Sequence, residues 1–187
     1  MEKQEYTLSL FSENHIGLLN QITIIFTRRQ INIESITASE SAVKGVHLLT
    51  IVVNTTADLI DKVAKQIEKL VDVLKVFVHT TNEIIYQEIA LYKVKTDELL
   101  ASNKIESIVR ANNARFLEIT PNFVVIEKTG HKHETQSLLE QLEEYGVLQF
   151  VRSGRVAITK QLKELGTYLE EMDEANKVNG KKLKNKQ

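Results

Sequence analysis

One order of hydrophobic periods occurs twice in this chain, and that repetition constrains the fold more than any other feature. Tyr6, Leu8 and Leu10 alternate with Thr7, Ser9 and Phe11, the period of a half-buried strand. Leu18, Leu19, Ile22, Ile25 and Phe26 then recur at intervals of three and four, which is one face of a helix, and Arg28-Arg29-Gln30 closes it at the end where cations suit the macrodipole. Residues 33–39 and 47–53 read as strands of a hairpin turning at residues 41–45. Thr55-Thr56 enters a second helix carrying Leu59, Val63, Ile67 and Leu70, and a strand follows over 73–78.

The same order returns immediately. Residues 88–94 are strand-like, and residues 97–112 carry Leu100, Ile105, Ile108 and Val109 at helical spacing. Strands over 116–119 and 123–127 flank the turn Thr120-Pro121-Asn122. A helix with Leu138, Leu139 and Leu142 leads to a strand over 147–151, and Arg152-Ser153-Gly154 interrupts the pattern before Val156-Ala157-Ile158. Two βαββαβ units in series predict an α+β protein of two consecutive ferredoxin-like domains, residues 1–81 and 82–160, meeting near Asn82. From Lys160 the chain mixes Leu162, Leu165, Leu169 and Met172 with many charges and ends in a lysine-rich run. Residues 161–187 are expected to be a charged helical or disordered tail, with too little apolar surface to offset the cost of ordering.

Composition removes several kinds of function. Lys and Arg total 24 against 25 Asp and Glu, so no global charge draws this chain to nucleic acid or membrane. Cysteine is absent, which excludes disulfides, thiolate metal sites and cysteine nucleophiles. The charged start runs straight into a strand, and no run of about 18 apolar residues occurs, so the expectation is a soluble cytoplasmic protein.

Ferredoxin-like sheets also serve as RNA platforms, but these display aromatics on their central strands, and residues 47–53 hold none. His131 and His133 form a His-x-His pair at a helix entry beside Lys132, with no third ligand in view, and read as solvated surface histidines rather than a zinc site. Neither a phosphate loop nor a nucleophile with its base is recognisable, and Glu143-Glu144 and Glu170-Glu171 read as solvated helix faces rather than general acids. The expected metal and catalytic sets are therefore empty.

The segment around the first helix stands apart. A helix entry that leaves its first amides pointing outward presents several donors and a partial positive charge, which suits a carboxylate. Gly17 permits close approach of a ligand to the backbone, and Asn14 supplies an amide that can meet a carboxylate or an ammonium. The plain alternative is structural: Asn14 as the N-cap, Gly17 as a turn glycine and Asn32 as a left-handed helix stop. Residue type alone leaves both open.

The stretch "ENHIGLLNQITIIFTRRQINIESI" resembles the ACT domain at the start of acetolactate synthase (acetohydroxyacid synthase) small subunits, with Asn-x-x-Gly-x-Leu before the helix and Asn-Ile-x-Ser after it. Gln87-Glu88-Ile89, Ile119-Thr120-Pro121 and Arg152-Ser153-Gly154 resemble elements of that family's C-terminal domain, and the likeness spans about residues 5–160. The resemblance implies a regulatory subunit that does no chemistry itself, binds and activates a large catalytic subunit, and transmits feedback inhibition by valine. Thiamine diphosphate, magnesium and FAD would belong to that partner, and this chain would bind no cofactor.

The resemblance further implies a homodimer of side-by-side ACT domains with valine between them. Asn14, His15, Ile16, Gly17 and Leu18 would hold the carboxylate and amine, with Asn32 and Ile33 of the facing protomer closing the site. Ile16, Leu18 and Ile33 would offer the apolar wall. Such a wall separates neighbours differing by one methylene by only about 1–3 kcal/mol, which also admits isoleucine or leucine. Departures from the family pattern are Gln21 in place of an arginine, and Gln30 and Ile31 in place of a glycine and an aromatic; the turn at residues 41–45 is also short. A free-standing ACT-type sensor that controls another enzyme or a transcription factor is the alternative.

Overall fold

Strand alternation and helix amphipathicity build two sheets in series, and the computed structural model describes them over residues 2–97 and 103–161. The first unit runs β1 (Gln4–Glu13), α1 (Leu18–Arg28), β2 (Ile33–Glu40), β3 (Val46–Thr55), α2 (Ala57–Ile67) and β4 (Val73–Thr80). Its antiparallel sheet has the order β2-β3-β1-β4. Tyr6, Leu8 and Leu10 face the helices with Ile51, Val53 and Val76, and there meet Ile22, Ile25 and Phe26 of α1 and Ile60, Val63 and Ile67 of α2. Each such fully buried side chain contributes about 1.5–3 kcal/mol. Leu19, which its spacing assigns to this stripe, is 47% exposed. It lies at the stripe's margin in the first turn of α1, beside Leu18, which takes the core position instead.

A single 3-10 turn (Thr81–Glu83) joins the units. The Glu83 carboxylate accepts from the Thr80 amide at 2.7 Å and the Thr80 hydroxyl at 2.9 Å, and these bonds hold its pKa below the usual carboxylate value. The second unit runs β5 (Ile84–Lys95), α3 (Lys104–Ala111), β6 (Arg115–Ile119), β7 (Phe123–Gly130), α4 (Lys132–Glu143), β8 (Val147–Arg152) and β9 (Val156–Thr159). The sheet order is β6-β7-β5-β8, with β9 also paired to β5. β5 starts earlier than its alternation suggests, because β9 supplies a partner for residues 84–87. Of the helix expected over residues 97–112, Lys104–Ala111 is seen; Leu100 and the charged tail from residue 162 lie outside the described residues.

Tyr92, Ile126, Leu138 and Leu142 centre a second core that shares no member with the first. The Tyr92 hydroxyl donates to the Thr135 carbonyl at 2.6 Å, and burial pushes this phenol up to about 12. β8 and β9 lie along β5 in nearly continuous register, Arg152 opposite Ala90 and Val156 opposite Gln87. The residues between them leave the ladder and reach across to the first sheet. No helix among the described residues is long and apolar enough to cross a membrane.

Candidate ligand-binding site

β1 delivers the chain to Glu13, and the turn at residues 14–17 lifts it onto the axis of α1. The His15 amide donates to the Glu13 carbonyl at 3.2 Å and the Leu18 amide to the His15 carbonyl at 3.3 Å. Gly17, not Asn14, occupies the N-cap position, and no side chain caps the helix. This corrects the structural alternative for Asn14. The glycine is required by its backbone, at φ +90°, rather than by crowding, since a Cβ there would meet nothing within 4 Å. With no acid in the first turn of α1, the positive end of the helix faces outward without a side-chain cap.

Asn14, His15, Ile16 and Gly17 are all exposed, and Ile16 stands wholly in solvent. Leu18 is different: it is 4% exposed and belongs to the core, so it offers a ligand no apolar wall, and its amide is already given to the His15 carbonyl. His15 Nδ1 lies 2.6 Å from Asp72 Oδ1, and Nε2 lies 3.8 Å from Glu13 Oε2. The hydrogen bond to Asp72, and secondarily the charge of Asp72, raise the imidazole above its ordinary pKa. Asp72 has no sequence signal that would have nominated it, since it sits 57 residues away in the turn before β4.

At the far end of α1 the Ile31 amide donates to the Phe26 carbonyl at 3.1 Å, and Gln30 takes the left-handed conformation at φ 55°. The helix stop is therefore Gln30 rather than Asn32, and it adopts the backbone that glycine would favour. Asn32 is exposed, while Ile33 begins β2 and is half buried against the first core. Within one chain the two groups do not meet. They flank an 11-residue helix about 16 Å long.

Elsewhere, His133 is exposed as expected, but His131 is half buried, with its ring centroid 4.4 Å from that of Tyr86. Its role is to begin α4, where its amide donates to Glu134 Oε2 at 2.7 Å.

A βαββαβ sheet of this strand order, with a glycine turn and an uncapped helix entry after its first strand, defines an ACT-type regulatory domain, and the AHAS small subunit-like ACT domain family matches residues 8–75. The family described as the small subunit of acetolactate synthase matches residues 87–161. An acetolactate synthase small subunit of Mycobacterium bovis is 30% identical over 167 residues, covering 89% of this chain and 99% of the relative. One from Bacillus subtilis is 32% identical over 154 residues, covering 82% and 89%. The crystal structure of the small subunit from Thermotoga maritima superposes with a TM-score of 0.77 at 28% identity, covering 86% of this chain and 99% of that one. The chain belongs to the acetolactate synthase small-subunit family. That membership supports the role of a regulatory subunit and does not favour the free-standing sensor.

Proposed function

We propose that this chain binds the large catalytic subunit of acetolactate synthase, raises its activity and conveys feedback inhibition by valine held at the ends of α1. The chain itself performs no chemistry, and thiamine diphosphate, magnesium and FAD serve the catalytic partner. The observation that carries the ligand reading is the uncapped, outward-facing entry of α1 at Gly17, with His15 hydrogen-bonded to Asp72 beside it. A carboxylate there gains amide donors and the positive end of the helix dipole together. The amine finds the Asn14 carboxamide oxygen, and the exposed Ile16 is available to a short branched side chain.

The dimer reading is supported by register. β2 is an edge strand, and Glu40 at its end lies opposite His47, which in turn lies opposite Ser12 of β1. Antiparallel pairing of β2 with its copy would bring the partner protomer's Asn32 and Ile33 to that same end of the sheet, close to residues 14–17. An unpaired edge strand is a ready template for such pairing.

A large protein partner is supported by the second sheet. Its open face carries Ile85, Ile89, Leu91, Val151, Val156 and Ile158, all exposed, with Leu91 opposite Val151 and Ile85 opposite Ile158. A contiguous apolar face of this kind marks an interaction surface.

Calorimetric titration of the purified chain with valine tests the ligand, with Asn32→Ala as control. Heat from the wild type alone is expected; no heat from the wild type would remove valine from the proposal. In the assembled enzyme, Asn14→Ala and Gly17→Asp should abolish the valine response and leave activation intact, the second by setting a negative charge where the carboxylate belongs. Loss of both together would mean a folding role for the turn.

A further inference from the structure

We propose that residues 152–155 are the joint through which occupancy of the α1 ligand site reaches the apolar face of the second sheet, with Arg155 and Gly154 as its positioning residues. The proposal rests on the ligand reading above and assigns the route by which that site is read out.

Arg155 is 3% exposed. Its guanidinium donates from Nη1 to the Thr7 hydroxyl and from Nη2 to Glu5 Oε1, each at 2.8 Å, and it lies 3.8 Å from the centroid of the Tyr86 ring. One side chain thus grips β1 of the first sheet while stacked on β5 of the second, through charge-assisted and cation–π contacts. Its neighbour grips β2. A Cβ on Gly154 would overlap the Thr37 hydroxyl and approach the Ile36 carbonyl oxygen to 2.9 Å, closer than real Cβ contacts occur, so only glycine fits without displacement. Ser153 completes the joint from behind. Its amide donates to the Ile89 carbonyl at 2.8 Å, and its hydroxyl accepts from the Ile89 amide at 2.9 Å. Ile89 is one of the exposed residues of the apolar face.

The two strands held here are the two that lead to the candidate ligand residues. β1 runs from the Arg155 contacts to Glu13, where the turn at residues 14–17 begins, and β2 runs back from Thr37 to Ile33. In the proposed dimer each ligand draws residues 14–17 of one protomer toward residues 32–33 of the other, so the two symmetric sites together pull on both strands gripped by each protomer's loop. Beside the joint a cleft of about 560 Å³ separates Glu34 and Asn54 from Lys132 and Arg152, so the sheets are not packed face to face there and have room to shift about the contact. Coupling between sites needs such a contiguous and movable element.

Hydrogen exchange on the full chain with and without saturating valine, read beside titration heat, tests the joint. In the wild type, valine should change exchange in β1 and α1, and also in β5 and β8 around Ile89. In Arg155→Met and Gly154→Ala, the valine heat and the response of the first sheet should persist, while the response around Ile89 falls about fivefold or more, with Arg155→Lys intermediate. Transmission at wild-type size in both variants would overturn the joint. If the wild type gives no valine heat, the ligand reading fails by itself, and the joint is judged without ligand. Arg155→Met should then speed exchange in β1 and near Ile89 together and spare α2 and α3; unchanged exchange in β1 and near Ile89 would overturn it.

Discussion

The two sheets share a topology and differ in the face they turn away from their helices. On the first sheet that face sets Thr7, Thr37, Thr50, Ser9, Ser35 and Ser39 among Phe11, Leu48, Val52 and Phe77, and the second unit covers part of it, leaving Thr7 1% and Thr50 4% exposed. The second sheet instead shows Ile85, Ile89, Leu91 and Val151 to solvent. The hydroxyls of that mixed face allow joining by hydrogen bonds that need specific geometry, as Arg155 makes with Thr7. An apolar face gains from contact with any complementary apolar surface. The same fold thus has one face used for a fixed internal contact and one that, under the proposed function, is left for a separate partner.

Truncating the cores should produce the largest effects and tests whether the units are separate bodies. Phe26→Ala should cost about 3–5 kcal/mol and Leu138→Ala about 2–5 kcal/mol. Exchange protection should fall in the altered unit; equal loss in both units from either substitution would break the comparison. Next in size is the apolar face. Leu91→Glu should weaken association with the catalytic subunit by about 2 kcal/mol, roughly 30-fold, with no change in the far-UV spectrum, whereas Ser39→Glu on the first sheet should not. Equal losses from the two would mean that the faces are not functionally distinct.

A smaller contrast lies in the tyrosines. Tyr92→Phe removes a buried donor to Thr135 and should cost about 0.5–1.5 kcal/mol in urea unfolding. Tyr6→Phe loses only a contact with the partly exposed Gln4 and should stay within about 0.5 kcal/mol.

The smallest expected effect concerns pH at the first helix. Because Asp72 raises the His15 pKa in the folded chain, this pair's contribution is present below the unfolded histidine value and is lost as pH rises through the folded one. A histidine NMR titration should show an elevated His15 midpoint that returns to the ordinary value in Asp72→Asn. An identical midpoint in the variant would show that Asp72 is not the cause.

Periodicity made the element order legible, because alternation and the helical stripe are properties of single segments. Helix ends were less legible. Residue type offered Asn14 as cap and Asn32 as stop as one of two open readings, but the backbone assigns those positions to Gly17 and Gln30, at φ +90° and φ 55°. Residue preference only biases that choice, and the path of the chain into β1 and β2 decides it. The candidate ligand residues were readable as a motif, yet the inward turn of Leu18 became visible only with the core around it. The contacts of Arg155 were beyond sequence reading, since its acceptors lie 148 and 150 residues away and no local pattern records them. The apolar face was half legible: Ile89-Ala90-Leu91-Tyr92 is apolar at every position, which says that both faces are apolar but not which is left open.

The three-residue turn between β4 and β5 hinges the halves of this molecule directly on one another, with no slack chain between them. Its capping bonds at Thr80 and Glu83 give the second sheet a fixed pivot, with Arg155 acting some distance along the same lever. A run of glycines spliced between Thr81 and Glu83 would take away that pivot and leave the Arg155 contacts as the remaining hold between two halves that still fold and keep their own surfaces.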